Sequence, residues 1–477
     1  MAEYMSAEVL KQYVPVDERE IDRLLNKEMN KSQIKFVVLD DDPTGIQTVH
    51  DVSVYTDWSK ASMRKGFLEE NRLFYILTNS RSMTPEQTRQ VHEEIARTAQ
   101  EISQEMNQKY VLISRSDSTL RGHYPLETNV LKEAVEKHGN HFVDGEILCF
   151  FFKEGGRYTI DNIHYVKDSG MLIPAGETEF AKDKTFGYRS SDLREYVEEK
   201  NKGAFKAGDT ICISLEMLRN CSYAEIEQRL MAAENFHKVI VNAVDYCDLK
   251  VFCTALYRAM EKGKTFLFRS AASLVKVIGG VSDRDLLTRK EMITADTNHG
   301  GIVVVGSHTN KTTAQLKELL TLTEVTGIEF DSDLVLKGEQ AFDAEIRRVV
   351  SLSEQIIASG KTAVCFTKRR LLTVDNDSKM EALLRSVKIS QGVQALVGKL
   401  NIVPAFVVAK GGITSSDIGT KALSVKKANV MGQIKPGIPV WQTDEQSKFP
   451  RIPYIIFPGN VGESSTLKEA VEELIRR

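Results

Sequence analysis

Short apolar runs punctuate this chain at intervals that leave room for an amphipathic helix between them. Residues 35–39 (KFVVL), 73–77 (LFYIL) and 110–113 (YVLI) are runs of aliphatic and aromatic side chains without a strict polar alternate. Such runs predict strands buried on both faces, as in a parallel sheet covered by helices. A marked helix start follows the second run. Thr84 can cap, Pro85 suits the first helical position and Gln87 can close a capping box. Val91, Ile95, Ala99 and Ile102 then recur as one apolar stripe. A further helix is expected over 126–135, and strands alternating with helices predict a parallel α/β fold. Ahead of all this, Val9, Tyr13 and Val16 are apolar, and Ile21, Leu24 and Leu25 share a helical face.

The rhythm breaks once. From about 145 to 187, glycines and the short runs 150–152, 163–166 and 171–173 predict an excursion with hairpin character, placed over the carboxyl edge of the sheet. Strand-like runs resume at 210–214, 238–242 and 265–268, and later at 302–305 and 362–366. The stretch 278–300, with Gly279-Gly280, Asp283, Asp285 and Asn298, is the most linker-like. A chain of 477 residues exceeds one comfortable core. The expected organisation is a helical N-terminal extension (1–31), an α/β domain (32–285), a linker (286–300) and a second α/β domain (301–477). Two α/β domains with largely parallel sheets, and an active-site cleft between them, are the predicted architecture.

Composition narrows the function classes. A formal net charge of −3 without a basic run argues against a nucleic-acid partner. No apolar stretch nears the roughly 18 residues of a membrane span. The N-terminal stretch holds several acids and no continuous apolar core, unlike a secretory signal. Six cysteines without a CxxC pair predict a reducing compartment, hence the cytoplasm, and not a disulfide framework or a structural zinc site. A homo-oligomer is compatible with the sequence, which does not set its size.

Candidate chemistry sits where the apolar runs end. IVVVGSHT (302–309), AFVVAKGGITSSD (405–417) and PYIIFPGNVGESS (453–465) each carry glycine and hydroxyl residues after a strand-like run. Main-chain amides at such junctions suit phosphate, and glycine lets an anion approach the backbone. One turn of this kind is ordinary topology; three at carboxyl strand ends point to a nucleotide spanning several loops. Lys410 or Lys435 would meet phosphate, or be plain exposed lysines. Neither GxxxxGK[ST] nor a GxGxxG inside a strand–turn–helix unit occurs.

Upstream, Asp40-Asp41-Asp42-Pro43-Thr44-Gly45 is dense in acid. It reads either as an ordinary turn or as the source of a carboxylate that receives a substrate proton. Strand alternation would send neighbouring aspartates to different sides. Asp42, nearest the turn, is the first candidate and Asp41 the second. In SRSDSTLRGH (114–123), Arg121 and Asp117 form an internal ion pair with Ser118 or Thr119 as a helix cap, or else Arg121 reads a substrate carboxylate with its planar fork while Asp117 orients a hydroxyl. Arg115 and Ser118 lie in the same stretch. Arg157, in Gly155-Gly156-Arg157-Tyr158, is a hairpin-turn arginine or another guanidinium for the ligand. His123 and His164 stand alone in sequence and read as hydrogen-bonded histidines, not metal ligands. An acidic, arginine-bearing half joined to a glycine-rich half suggests a two-domain enzyme that moves phosphate.

Taken in order, DDDPTG (40–45), DSTLRG (117–122), GGR (155–157), TEFAKD (178–183), VVGSHT (304–309), GGITSSDIGTKAL (411–423), GQIKPGIPVW (432–441) and FPGNVG (457–462) form a specific series. From Phe36 onward the chain resembles the four-carbon acid sugar kinase family. The resemblance implies an N-terminal domain for the acid sugar and a C-terminal domain for the nucleotide. It further implies ATP-dependent phosphorylation, with Mg²⁺, of the terminal hydroxyl of threonate, erythronate or a 3-oxo relative. It carries substrate contacts onto Asp117 and Arg121 and nucleotide contacts onto Gly411, Gly412, Gly459 and Asn460. With the reading of the residues above, Asp42 and Asp117 are expected in catalysis, and Asp41, Arg115, Ser118, Arg121 and Arg157 at the acceptor. Ser307, Thr309, Gly411, Gly412, Gly459, Asn460 and Gly462 are expected at the nucleotide, while the Mg²⁺ ligands are not identified. This chain departs from the family at His123-Tyr124 and at CFFFKEGGR (149–157), where members commonly read PAFPEAGR. Both departures fall in the acid-binding half and point to a non-standard acceptor. The competing readings are an NAD-dependent dehydrogenase or isomerase of a related acid, and a non-catalytic nucleotide or metabolite sensor.

Overall fold

The computed structural model describes residues 3–13, 16–139, 142–370, 372–374, 377–459 and 461–476, with only the main chain at 379, 380 and 383. It divides into two compact units. The first comprises Met1–Gly45 and Asp57–Asp283, the second Ile46–Thr56 and Arg284–Arg477.

The sheet of the first unit is built from β1 (Lys35–Asp40), β2 (Leu73–Leu77), β3 (Tyr110–Arg115), β4 (Gly145–Cys149), β5 (Ile211–Ile213), β6 (His237–Val241) and β7 (Phe266–Ser270). Their order is β5-β6-β4-β7-β3-β1-β2, and every neighbouring pair is parallel. β1 and β2 are buried along their whole length, which is why neither shows a polar alternate. The helix Pro85–Met106 starts at the capping box of Thr84 and Gln87, with both reciprocal bonds made, and buries Ile95, Ala99 and Ile102. Each fully buried Ile contributes about 1.5–3 kcal/mol, so this stripe fixes which face of the helix meets the sheet. The helix Glu18–Lys31 packs on Tyr246–Glu261 through Ile21, Leu25 and Met29, with Lys250 2.8 Å from Asp22 and Arg258 3.3 Å from Glu28.

The excursion forms a small antiparallel sheet of Arg157–Ile160, Ile163–Asp168, Met171–Pro174 and the N-terminal Met5–Ser6. Asp161 and Asn162 both take positive φ, as do Ser169 and Gly170. Two-residue hairpins require this backbone, and Asn, Asp and Gly tolerate it best. Phe150–Phe152, expected as part of this hairpin region, is a buried connection; Phe152 alone bridges to Arg157.

In the second unit, β8 (Ile302–Val305), β9 (Val325–Phe330), β10 (Thr362–Thr367), β11 (Val407–Lys410), β12 (Lys427–Lys435), β13 (Ile438–Thr443) and β14 (Pro453–Phe457) run in the order β12-β13-β14-β11-β8-β10-β9. β14, β11, β8, β10 and β9 are mutually parallel, while β12 and β13 fold back antiparallel onto β14. The segment Val52–Tyr55 pairs antiparallel with β12. Within 286–300, the short helix Arg289–Met292 is capped by Thr288, and Leu287, Met292 and Ile293 join the core built around Val303, Val305 and Ile455. No described helix is long and apolar enough to cross a membrane.

Strand order sets where ligands fit. β1 has β2 on one side and β3 on the other, so the chain reverses direction across the sheet there; β8 stands likewise between β10 and β11. Crevices at the carboxyl ends of such strands are where open parallel sheets receive ligands.

Candidate functional site

In the first unit the reversal point is occupied by charge. β1 ends at Asp40 and β3 at Arg115, register partners of one another. Because the strand stops at Asp40, alternation no longer separates the next residues. Asp40, Asp41 and Asp42 each bring an oxygen within 4.8 Å of the others, against the expectation that they would diverge. Arg81, from the turn after β2, grips Asp41 with two bonds of 2.7 and 3.1 Å, donates to Asp42 at 2.7 Å and stands 3.8 Å from Asp117. Arg115 lies 3.4 Å from Asp40 and 4.0 Å from Asp41. Thr44 donates to Asp42 from its main-chain nitrogen at 2.7 Å and from its hydroxyl.

Burial pushes the Asp40 carboxyl well above the usual range and raises that of Asp41. Asp42 ends lower than usual. Burial opposes its charge, but Arg81, Arg115 and the bonds from Thr44 outweigh it. Asp42 is also the most open of the three, its side chain 15% exposed against 3% for Asp41. Three carboxylates are a hard-oxygen set that suits a cation such as Mg²⁺. Here, however, Arg81 holds both oxygens of Asp41 and one of Asp42, so the arrangement is a carboxylate–guanidinium cluster.

The loop after β3 adds Asp117, Ser118 and Arg121. Arg121 donates from Nε to Asp117 at 2.7 Å, and its Nη1 is 3.8 Å from Asp183. Burial disfavours the Asp117 anion, yet Arg121 and Arg81 hold its carboxyl far below the usual range. The internal ion pair therefore forms. Neither Ser118 nor Thr119 caps a helix; Thr119 donates its hydroxyl to Asp117, and the next helix begins at Leu126. Phe180 lies against two guanidiniums, its ring centroid 5.0 Å from Arg121 Cζ and 5.9 Å from Arg157 Cζ.

Arg157 differs from its neighbours. It is only 8% exposed, donates to the Gly155 carbonyl, leaves Nε without a partner and makes no ion pair among the described residues. Burial lowers its pKa. A buried guanidinium without an anion is costly, and an arriving carboxylate would relieve that cost.

Two inner supports hold these loops. Arg269 and Glu127 form a buried ion pair, and Arg269 also donates to the Arg121 carbonyl at 3.0 Å. Against burial, Arg269 and His92 draw the Glu127 carboxyl down to about 2. His164 meets the Ser118 carbonyl at 2.8 Å through Nε2 and the Thr159 hydroxyl at 3.0 Å through Nδ1. A carbonyl only accepts, so Nε2 carries the proton and Nδ1 accepts from threonine. Burial lowers this imidazole to about 4, keeping it neutral at pH 7. His123 likewise contacts the Met83 carbonyl at 3.0 Å.

In the second unit the reversal point is open. Gly306 and Ser307 after β8, Gly411 and Gly412 after β11, and Gly459 after β14 share the wall of a cavity of about 710 Å³ with His308, Thr367 and Arg385. That volume is within the range of cofactor sites, roughly 300–1,000 Å³. Gly411 has φ +118°, a conformation other residues avoid, and a side chain at Gly306 would collide with the Thr414 hydroxyl. Arg369 braces the wall by donating to the carbonyls of Ser307 at 2.7 Å and Thr367 at 2.9 Å. Thr309 and Gly462 do other work. Thr309 caps the helix Asn310–Leu319, accepting from Thr312 at 3.2 Å, and Gly462, φ +82°, packs against Thr466. Asn460 lies outside the described residues. Lys435 sits 3.5 Å from Glu469, whereas Lys410 is wholly buried behind the glycine turns.

Sequence reasoning missed Arg81, although its place just after a strand run was a usable signal. It also missed Phe180, Arg269 and Arg369, whose roles depend on contacts across tens of residues.

A charged cluster at one reversal point and a glycine-walled cavity at another define a two-unit α/β ligand-binding protein. Residues 36–278 match the family model described as sugar-binding N-terminal domain, and residues 302–467 the one described as nucleotide-binding C-terminal domain. The chain belongs to the four-carbon acid sugar kinase family, whose architecture these two domains make up. Among solved structures, a Salmonella typhimurium protein given only a provisional description as a tRNA synthase has a TM-score of 0.64 at 14% identity, covering 92% of this chain and 99% of its own. A Haemophilus influenzae protein from a domain-of-unknown-function family has a TM-score of 0.57 at 16% identity, covering 92% and 100%. At these identities the likeness shows the shared fold. A search of curated proteins finds no match to the sequence.

Proposed function

We propose that the protein is a kinase that transfers the γ-phosphoryl group of ATP to the terminal hydroxyl of a four-carbon sugar acid, such as a threonate, an erythronate or a 3-oxo-tetronate. The observation that carries this reading is Arg157: a buried guanidinium with no anion of its own among the described residues, beside a cluster whose other arginines are already paired. An acid substrate supplies the missing carboxylate. Arg157 is thus the leading carboxylate partner, with Arg121 behind the Phe180 ring as the second. Asp42, ionised at neutral pH, orients the acceptor hydroxyl, and Asp117 and Ser118 meet the remaining hydroxyls. Asp41 and Arg115 hold the cluster in shape.

In the transfer, the acceptor oxygen bonds to the γ-phosphorus as the bond to the β-phosphate oxygen breaks, ADP departs, and the hydroxyl proton passes to Asp42 and then to solvent. Mg²⁺ accompanying the nucleotide supplies charge neutralisation on the phosphoryl oxygens. The turns at Ser307, Gly411, Gly412 and Gly459 offer main-chain amides to the nucleotide phosphates.

A coupled ADP-release screen over threonates, erythronates and 3-oxo-tetronates tests the reading. ADP release with one or more of these acids, and a product phosphorylated on the terminal carbon, is the expected result. Nucleotide binding without acid-dependent ADP release from any of them would exclude it.

A further inference from the structure

Lys410 ends β11 immediately before Gly411-Gly412, yet it points away from solvent and is 0% exposed. Its ammonium donates to the carbonyls of Pro458 at 2.5 Å and Gly459 at 3.4 Å, and lies 4.2 Å from the Phe457 ring centroid. No carboxylate pairs with it among the described residues. One side chain therefore fastens the turn after β14 to the turn after β11, and both turns line the cavity of the second unit.

We propose that Lys410 is a positioning residue for nucleotide phosphates: its charged ammonium holds the two glycine turns in their binding arrangement and leaves one uncompensated positive charge behind them. The inference rests on the nucleotide reading of this cavity. A neutral amine would keep at most part of the carbonyl contacts and none of the charge, so phosphate affinity follows the protonation of Lys410. Burial, and then the charge of Lys311 on the helix Asn310–Leu319, lower its pKa to about 7. An uncharged lysine is thus within easy reach at physiological pH, and a bound polyphosphate favours the charged form again. Among the described residues, the other charged or titratable groups lining the cavity are His308 and Arg385 with its partner Asp377, while Arg369 braces the wall through the Ser307 carbonyl. Burial and Arg369 lower the His308 pKa, which keeps that ring neutral above pH 7.

The test measures ADP and adenosine binding to the full-length protein by calorimetry from pH 7 to 9, for wild type, Lys410→Met and Lys410→Arg. Wild-type ADP affinity should fall with rising pH, by up to about tenfold per unit, with proton uptake on binding. Lys410→Met should bind ADP about 10- to 100-fold more weakly at pH 7, show no such pH dependence, and bind adenosine nearly as well as wild type. Lys410→Arg, which stays charged, should keep ADP affinity at every pH and lose the slope. Should Lys410→Met fail to fold, Lys410→Arg decides: a slope that persists in it overturns the inference. So does a Lys410→Met protein with wild-type ADP affinity, or one that loses ADP and adenosine equally. A wild type that binds neither ligand overturns the nucleotide reading together with the inference; unaltered ADP binding in both variants overturns the inference alone.

Discussion

The two units put their chemistry at the same topological position and fill it with opposite materials. Where β1 and β3 end, Asp40, Asp41, Asp42, Arg81, Arg115, Asp117 and Arg121 form a largely paired and mostly buried network. Where β8 and β11 end, the chain offers Gly306, Gly411 and Gly412 around an open volume, with Lys410 wholly buried beside the turns. A small acid has few atoms by which to be recognised, so each contact must be strong, and charges in a low-dielectric site are strong. A nucleotide offers many atoms, so space and main-chain donors serve it better. The first residues after a strand decide which kind of site a reversal point becomes.

That contrast can be broken experimentally, and the largest effect is expected at Asp42. Asp42→Asn should bind both ligands within a few-fold and lose about 10²–10⁴ in turnover. Near-normal turnover would remove Asp42 as proton acceptor and move attention to Asp117. Next comes the difference between an unpaired and a paired arginine. Arg157→Met should weaken acid binding by roughly 30-fold to several-thousand-fold, from the ~2–5 kcal/mol of a lost charge partner, with ADP affinity and thermal midpoint little changed. Arg121→Met should in addition destabilise the protein by about 1–3 kcal/mol, because it removes the closest charge partner of the buried Asp117 and leaves Arg81 at 3.8 Å. Equal destabilisation by the two substitutions, read from denaturant unfolding, would show that Arg157 is structural.

His164 gives the first unit a pH signature in its stability, distinct from the ligand-affinity slope expected of Lys410. Its folded pKa of about 4 lies below the ordinary imidazole value of 6.5, so the unfolded chain takes up the proton first. The stability it contributes is complete above pH 6.5 and is lost as pH falls to about 4, ~3 kcal/mol in all. The advantage of wild type over His164→Gln should shrink by that amount between pH 7 and 4 in urea unfolding. A constant advantage would mean that the imidazole does not titrate there. The smallest change belongs to the second unit. Gly411→Ala forces a side chain into φ +118°, costing about 1–3 kcal/mol. ADP binding should weaken while acid binding stays put; loss of both would deny the division of labour.

Much of this was legible in the residues. The run 73–77 is β2 residue for residue, and the capping box at Thr84 sits where its residue types placed it. Fully buried strands and capped helices are local statements, readable from a few neighbours. What escaped was non-local. Val52–Tyr55 has only four residues and pairs with a strand near the other end of the chain. The hairpin of β12 and β13 turns at Pro436-Gly437, a signal present in the motif GQIKPGIPVW and passed over as strand evidence. At the site, Asp42, Asp117 and Arg121 were named from spacing, and the structure gathers them. Arg81 is invisible as a partner of Asp41 because forty positions separate them. Nor does any spacing tell a paired arginine from an unpaired one, which is the distinction between Arg121 and Arg157.

The detour of Ile46–Thr56 into the second unit sets a timetable on the ribosome. Thr56 donates its hydroxyl to the Val425 carbonyl at 2.6 Å, a contact between residues 369 positions apart. At ~5–20 residues per second of synthesis, roughly 20–70 s pass between the emergence of one partner and the other. Throughout that interval Val52, Val54 and Tyr55, buried in the finished protein, wait for the sheet of their own unit. A nascent chain of this protein thus carries an apolar strand awaiting its native place while some 369 further residues are made, and holding it soluble is a task for the cell's folding machinery before any ligand is bound.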